Sequence, residues 1–450
     1  MAVENMSSDA AQDLEDAYVY AYPLVLMDTI RAMVTNTETP TADRAPLNQL
    51  FHSRDLATPA LHSLTRPNVD TLYSQAYLDL GEEPYLLFKP ETDRYCSIQP
   101  FDGYSNTPAV LGTGGVGGND AVTYALIGPR FDGALPEDVI PVPVSTDFVW
   151  LLLRVRCYGP EDLEEPRKIQ DSMDLYPLSQ HGKEHTYPRG SYTPDLDYLP
   201  VLHLQKMEAS EYFDRFNSLA ASNPGAPEDQ PALDRFAALG IGAGLTFDLA
   251  SLPESVQERA GRLPGFMGGS KVNESRRVTA IDGWIYLDES IGNFGTKYLY
   301  RARIAHGGFA NPVDVTAYPS TQVDSDGEQL TGTKTYNLHF EPGQLPPYGD
   351  WGWWSLTAYS ASGQLFDNEL DRYALDDSQD LTLNDDGSLD LWIGATNPGH
   401  GRECNWLPVR PENFGITLRI YFPHVSVNTH DWLPPKVTVV PSTEPQAVSQ

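Results

Sequence analysis

Between Asn48 and Ser74 the sequence concentrates side chains that could move or orient a proton. "NQLFHSRD" (48–55) supplies Asn48, His52 and Arg54, and "RPNVDTLYS" (66–74) supplies Arg66, Asn68, Asp70 and Tyr73. An imidazole titrating near neutrality is the usual acid–base group. A carboxylate can orient or deprotonate a neighbouring phenol. His52, Asp70 and Tyr73 are therefore the candidate base, orienter and proton donor, with Asn48, Arg54, Arg66 and Asn68 as substrate contacts. Pro67 disfavours the right-handed helical region at Arg66 and points to an extended or turn entry. In an extended segment Arg66, Asn68 and Asp70 share one face, where an Arg66–Asp70 ion pair would fix Asn68, and Tyr73 falls on the other. The competing reading is a buried polar network that ties the strand to neighbouring helices, since buried polar groups need partners.

A second constellation is aromatic. Trp284, Tyr298, Tyr318, Trp351, Trp353, Trp354, Trp392 and Trp406 crowd the C-terminal third. Indole faces flanked by Arg, Asn and Asp suit sugar rings or flat apolar ligands, through stacking and directional hydrogen bonds. Trp284, Trp353 and Trp406 are assigned this role, with Asp102, Asn106, Arg301 and Asn405 as further substrate-binding residues. Burial in a sandwich core is the commoner fate of such residues.

Other chemistries lack their scaffolds. His181 and His185 stand four apart, but the Gly and Pro of "SQHGKEHTYPRG" deny them a helix. His306, His339, His400, His424 and His430 could converge in the C-terminal β-domain, but no metal ligand set is assigned to them. "GTGGVGG" (112–118) has no Gly-Lys-Ser/Thr, "DDSQD" (376–380) reads as a solvated turn, and no Gly-x-Ser-x-Gly occurs. Cys96, Cys157 and Cys404 are isolated and support neither a disulfide framework nor a thiolate zinc site. Sixty-two acidic against 30 basic residues give a formal net charge of −32, which repels phosphate backbones and anionic lipids. Nucleic acid and membrane surfaces are thus poor partners. "MAVENMSSDAAQDLEDA" has neither a basic nor an apolar leader region and no run approaches a membrane span, so a cytoplasmic location is expected.

The elements that must position these groups follow from periodicity. Residues 9–35 read as helix, with Leu14, Ala17, Tyr18, Ala21 and Leu24 on one face and a kink or restart at Pro23. Residues 46–160 read as short strands between turn signals, an antiparallel sandwich, and 161–281 as short helices. Ser251 and Glu254 suggest a capping box with Pro253 in the first turn. "GFMGGSKVNESRR" (265–277) reads as a flexible connection. From residue 282 to 435 the chain is β-rich, with turns at "DSDG", "SASG" and "NDDG" and a late strand at "FGITLRIYFP" (414–423). Residues 436–450 read as a loose polar tail. The fold class is mainly β with a helical domain, the helix within 9–45 packing with that domain.

Several of these motifs together resemble a known two-module family. "AYVYAYPLVLMD" (17–28), "NQLFHSRD", "RPNVDTLYS" and "DFVWLLLRV" (147–155) resemble the DUF1254 domain. "YLYRARIA" (298–305), "FEPGQLPP" (340–347), "WWSLTAYSASG" (353–363), "NELDRYAL" (368–375), "DDGSLDLWI" (385–393), "NWLP" (405–408) and "LRIYFP" (418–423) resemble DUF1214, over roughly residues 15–435 in all. The resemblance implies an immunoglobulin-like β-sandwich (46–160), a helical domain and a C-terminal jelly roll (282–435). It implies no general activity.

The functional expectation is a cofactor-independent enzyme of lyase, hydratase or hydrolase type. It would act on a small organic or carbohydrate-like substrate by acid–base catalysis, in a pocket between the two β-domains. The alternative is a non-catalytic glycan- or metabolite-binding protein. Assembly into a homo-oligomer is compatible with either.

Overall fold

The computed structural model of the chain describes residues 2–61, 65–269, 278–399 and 401–441, without the side chains of 2–9 and 278. Its described residues divide into two compact units. One draws on 2–55, 71–269 and 290–311, and the other on 56–61, 65–70, 278–289, 312–399 and 401–441.

The first unit combines a β-sandwich with helices. Helix α1 (Ala2–Val34) is followed by strands β1 (Phe51–His52), β2 (Thr71–Asp79), β3 (Tyr85–Lys89), β4 (Cys96–Asp102), β5 (Leu111–Gly112), β6 (Val116–Gly117), β7 (Val122–Ile127), β8 (Val139–Pro143), β9 (Phe148–Arg156) and β10 (Asp174–Pro177). They form a six-stranded sheet, β1-β2-β9-β4-β5-β6, and a four-stranded sheet, β10-β3-β7-β8. Helices α2 (Glu164–Asp171), α3 (Pro200–Leu204), α4 (Ala209–Ala220), α5 (Gln230–Ala237), α6 (Glu254–Ala260) and α7 (Tyr298–His306) complete the unit.

Strand β9 shows why its text, "FVWLLLRVR", runs apolar without alternation. Every residue is buried. Val149, Leu151, Leu153 and Val155 face the sandwich interior with Leu87, Leu126 and Leu175 from the other sheet. Phe148, Trp150 and Leu152 point the opposite way, into a cluster with α1, α4 and α6. A strand covered on both faces needs apolar residues on both. Helix α1 is buried on all sides from Ala17 to Met27 for the same reason. It runs unbroken through Pro23, so no restart occurs there. Packing on every face outweighs the hydrogen bond that proline omits.

The second unit is another sandwich. Strands β11 (Val278–Ile281), β12 (Trp284–Leu287), β13 (Thr316–Ala317), β14 (Ser320–Thr321), β15 (Thr335–Phe340), β16 (Tyr348–Ser360), β17 (Ala374–Asp376), β18 (Leu389–Gly394), β19 (Trp406–Pro408), β20 (Phe414–Pro423) and β21 (Val437–Val440) are joined by helix α8 (Val425–Asn428). One sheet runs β11-β12-β14-β20-β16-β17, with β13 also on β20, and the other β19-β18-β15-β21. Trp354, Leu356 and Ala358 of β16 and Ile416, Leu418 and Ile420 of β20 meet Leu338, Phe340 and Leu391 in the core. The alternate residues of the same two strands are Trp353, Ser355, Thr357 and Tyr359, paired across the ladder with Tyr421, Arg419, Thr417 and Gly415. Alternation therefore builds an apolar inner face and a polar outer face.

The three expected turns form, closed by Gly327 N–H to Asp324 O at 3.0 Å, Gly363 N–H to Ser360 O at 2.9 Å and Gly387 N–H to Asn384 O at 2.9 Å. Strand β20 spans the expected 414–423. Other expectations need correction. Residues 174–177 lie within the stretch read as helical, yet pair with β3 because Leu175 and Tyr176 bury apolar surface there. Helix α6 starts from Pro253 as its N-cap, and Ser251 Oγ donates to Asp248 O at 2.8 Å instead of capping it. The supposed tail carries β21, whose β-branched residues pair with β15. The sandwiches are not wholly antiparallel, since β5–β6, β7–β8 and β18–β19 run parallel. The connection read at 265–277 lies from residue 270 onward outside the described residues, as do His400 and residues 442–450.

Candidate functional site

The "RPNVD" stretch is a turn, not a strand. Arg66 has φ +52°, so Arg66, Asn68 and Asp70 do not share an extended face. The segment docks on the polar outer face of its own unit. Arg66 N–H donates to Gly363 O at 2.7 Å, Arg419 Nη2 donates to Arg66 O at 2.9 Å, and Tyr359 O–H donates to Pro67 O at 2.7 Å. Asn68 Nδ2 donates to Tyr421 Oη, while Asn68 Oδ1 accepts from Asp70 N–H at 2.5 Å. Asp70 Oδ2 accepts from Ser355 Oγ at 2.6 Å.

His52 and Tyr73 belong to the first unit and have partners there. His52 Nδ1 and Ser74 Oγ are 2.7 Å apart, opposite one another in the β1–β2 register. The Tyr73 ring lies under Arg154, 5.6 Å from its guanidinium carbon. Asn48 Oδ1 accepts from Asp79 N–H at 2.8 Å, and Arg54 pairs with Asp171 at 2.8 Å. Burial pushes the His52 imidazole down to about 4, helped by Arg54 and opposed by Asp171. It is neutral at pH 7.

That shift has a thermodynamic consequence. The unfolded imidazole takes up its proton near 6.5 and the folded one only near 4, so the unfolded state binds more protons between those values. The stability contributed by neutral His52 is complete above pH 6.5 and is lost as pH falls toward 4. Lowering the pH from 7 to 5 is expected to cost about 2 kcal/mol through this residue. In His52→Asn, whose amide can still meet Ser74, urea unfolding free energies at the two pH values should differ by that much less than in the wild type. Equal losses in both proteins would contradict the assignment.

The aromatic candidates of the second unit are packed. Trp284 Nε1–H donates to Pro435 O at 2.9 Å and Trp406 Nε1–H to Gly394 O at 3.0 Å, and both rings are buried. The Trp353 ring stacks on Tyr421 with centroids 3.7 Å apart. Asn405 staples two segments, Nδ2 donating to Thr382 O at 2.8 Å and Asp390 O at 2.9 Å. Among the described residues no three His, Cys, Asp or Glu side chains are grouped to hold a metal ion. His181 faces Asp138 and His185 pairs with Asp174.

Three other predicted residues, Asp102, Asn106 and Arg301, lie together in the first unit, in a cluster that also holds Tyr298 of the aromatic constellation and several residues that sequence reading missed. On α1, Tyr18 and Tyr22 are four apart and share a face, with ring centroids 6.0 Å apart. Tyr20, two residues from each, points the other way, toward Tyr104 and Tyr298. Its hydroxyl donates to Asp229 Oδ2 at 3.0 Å, and Tyr298 O–H donates to Asp229 Oδ1 at 2.8 Å. Asp229 precedes α5, where the helix N-terminus favours a carboxylate, and Ala226 N–H adds a third donor at 3.1 Å. A methyl group on Gly225 would sit 2.3 Å from Tyr20 Oη, so the carboxylate and phenol are closely confined.

Tyr298 and Arg301 are three apart on α7 and face the same way. The Arg301 guanidinium carbon lies 5.1 Å from the Tyr20 ring centroid, 5.1 Å from that of Tyr104 and 5.2 Å from that of Tyr298. Its side chain is buried, yet its Nη2–H reaches Tyr20 O only at 3.4 Å. Its Nε–H has no hydrogen-bond partner among the described residues. Asp102 accepts from Tyr104 N–H, Asn106 N–H, Asn106 Nδ2 and Ser145 Oγ at 2.8–3.0 Å. Burial holds the Asp102 carboxyl above its usual range, against the pull of those donors and of the Arg301 charge. Burial likewise raises the Tyr20, Tyr104 and Tyr298 phenols, which stay protonated at neutral pH. Tyr298 is half-buried and is the member of the phenol–carboxylate pair nearest solvent. The cluster therefore holds protonated phenols, carboxylates and an underused cation within one network.

Two sequence signals bore on this cluster. "AYVYAYP" contains Tyr20 and "YLYRARIA" contains Tyr298 with Arg301, whereas nothing around "PEDQ" marks Asp229.

No helix among the described residues is long and apolar enough to cross a membrane. The chain matches no curated protein. Among solved structures, it is similar to the VPA0106 protein from Vibrio parahaemolyticus, with 20% identity and a TM-score of 0.70 over 96% of this chain and 100% of that one. That likeness shows a shared fold. A putative uncharacterized protein from Burkholderia cenocepacia aligns at 12% identity and a TM-score of 0.41, covering 97% and 94% of the two chains. The family described as "Protein of unknown function (DUF1254)" matches residues 47–177, and that described as "Protein of unknown function (DUF1214)" matches residues 315–425. With both modules in order along one chain, this protein belongs to the DUF1254/DUF1214 two-module family.

Proposed function

We propose that the first unit carries an acid–base active site built on Tyr298, Asp229, Tyr20 and Arg301, acting on a small neutral substrate with a carbonyl or hydroxyl oxygen. The observation that supports this reading is the buried Arg301 Nε–H, without a hydrogen-bond partner among the described residues, beside a phenol whose hydroxyl is aimed by a carboxylate. A buried guanidinium ordinarily fills its donors, because an unmet charged donor is costly. Here the spare N–H would meet a substrate oxygen and stabilise negative charge developing on it. Tyr298 would give or take the proton, and Asp229 would position it together with Tyr20. Asp102 and Asp229 already balance the guanidinium, so an anionic substrate would be repelled and a neutral one favoured. Elimination, hydration and hydrolysis all fit such a set of groups.

The test is a thermal-shift and NMR turnover screen of the purified chain against lactones, hydroxyketones and aldoses. One class should raise the unfolding temperature and be converted. Tyr298→Phe should then lower turnover by about 10²-fold or more with little change in binding. Arg301→Met, which leaves no charge in the tyrosine cage, should lose both. Wild-type turnover in Tyr298→Phe, or no binding and no conversion of any class, would leave the cluster as a structural polar network.

A further inference from the structure

The second unit contains a cleft of about 740 Å³, formed by the Ser360–Phe366 turn, residues 410–413 and the Pro59–Ala60 turn. That volume lies within the range of small-ligand sites, roughly 300–1,000 Å³. Its apolar lining comes from Leu365 and Phe366, both buried. Its polar lining includes Ser360, Ser362, Gln364, Asp367, Arg410 and Glu412. The hairpin turn is rigid: Ser360 N–H donates to Gln364 O at 2.9 Å, and Ser360 Oγ lies 3.1 Å from Gln364 N and 2.9 Å from Ser362 Oγ. Opposite it, Arg410 Nη2 reaches Asp367 Oδ2 at a loose 3.3 Å.

The composition of this lining selects a chemistry. Hydroxyls and an amide both donate and accept, carboxylates only accept, and a guanidinium only donates. A ligand that satisfies all of them must itself donate and accept at closely spaced points, as adjacent hydroxyl groups do. One hydroxyl of a vicinal diol can donate to Glu412 or Asp367 while its neighbour accepts from Arg410. Two carboxylates against one guanidinium leave the cleft acidic, and the chain as a whole carries −32, so anions are disfavoured. We infer that this cleft is a binding site for a neutral polyhydroxylated ligand of saccharide type, separate from the acid–base cluster of the first unit.

Isothermal titration of the full chain with maltotriose, cellotriose and xylotriose tests it, with galacturonate and spermidine as charged comparisons. At least one trisaccharide should bind. Ala361→Trp, which fills the cleft from an exposed turn position, should weaken that binding by tenfold or more, as should Glu412→Ala. Arg301→Met should leave it unchanged, which separates this proposal from the function proposed above. Trisaccharide binding unaffected by both cleft variants, no trisaccharide binding at all, or binding of spermidine or galacturonate alone would overturn it.

Discussion

Asp70→Ala is expected to destabilise the protein by about 2–3 kcal/mol, the cost of leaving the buried Ser355 hydroxyl without its acceptor and of removing a charge that favours the buried Arg419 guanidinium. Arg419 is buried in the outer face of β20, and its guanidinium is held charged by Tyr359, Tyr421 and Asp70 against the opposing effect of burial. The Asp70 carboxylate also accepts from Ser355 Oγ. Its loss removes a negative charge that favours a buried cation and leaves a buried hydroxyl without its acceptor, and both penalties fall on the folded state. Asp70→Asn keeps an acceptor for Ser355 and should cost less than Asp70→Ala. Arg419→Met together with Asp70→Ala should recover part of the loss, because the buried cation disappears with the carboxylate that favours it. Urea unfolding of the single and double variants measures this coupling. An Asp70→Ala protein as stable as the wild type would show that the 66–70 segment does not anchor this face.

The second large effect concerns Gly112. It stands at φ +80° where β5 meets β4, and a methyl group there would lie 2.2 Å from the Cys96 carbonyl oxygen. That oxygen accepts from Thr113 N–H at 2.9 Å, so it cannot swing away freely. Gly112 N–H also donates to Tyr124 Oη at 3.1 Å, which fixes the loop from its other side. Gly112→Ala combines the left-handed penalty of about 1–2 kcal/mol with a backbone clash, and a total of roughly 4 kcal/mol is expected. Gly118→Ala, also at positive φ but with nothing within 4 Å of its added methyl group, should cost only the first part. Comparing the two by thermal unfolding separates conformational strain from collision. Equal losses would remove the collision from the explanation.

The glycine run "GTGGVGG" illustrates how far local reading reaches. Its spacing was enough to set aside a phosphate cradle, but the requirement for Gly112 comes from a carbonyl 16 residues earlier in the chain. The polar density of "RPNVDTLYS" has a similar history. Its residue types announced a buried polar network, but one expected to tie a strand to helices, whereas the 66–70 segment is not a strand and is held by β16 and β20. Ser355, Tyr359, Arg419 and Tyr421, which complete that network, lie nearly 300 residues or more along the chain. The extended geometry assumed for Arg66 failed because proline restricts the preceding residue without choosing between an extended and a left-handed turn conformation.

What the sequence determined by itself was local and periodic. Alternation in "FGITLRIYFP", the turns ending in glycine, the apolar helix of "AYVYAYPLVLMD" and the β-rich character of the two sandwich stretches follow from side-chain sterics and burial within a few residues. The two families' motifs were legible for the same reason. Tertiary structure alone decided which polar groups meet. Tyr20, Asp102, Asp229 and Arg301 come from α1, the end of β4, the start of α5 and α7, and no spacing in the chain relates them. Nor could the sequence foresee that β21 finds a partner in β15, or that Pro23 is carried inside a helix buried on all sides. Hydrogen bonds and charges act over a few ångströms in space, whereas sequence patterns report neighbours along the chain. Elements are therefore readable one at a time, and a site assembled from several of them is set by the packing that brings them together.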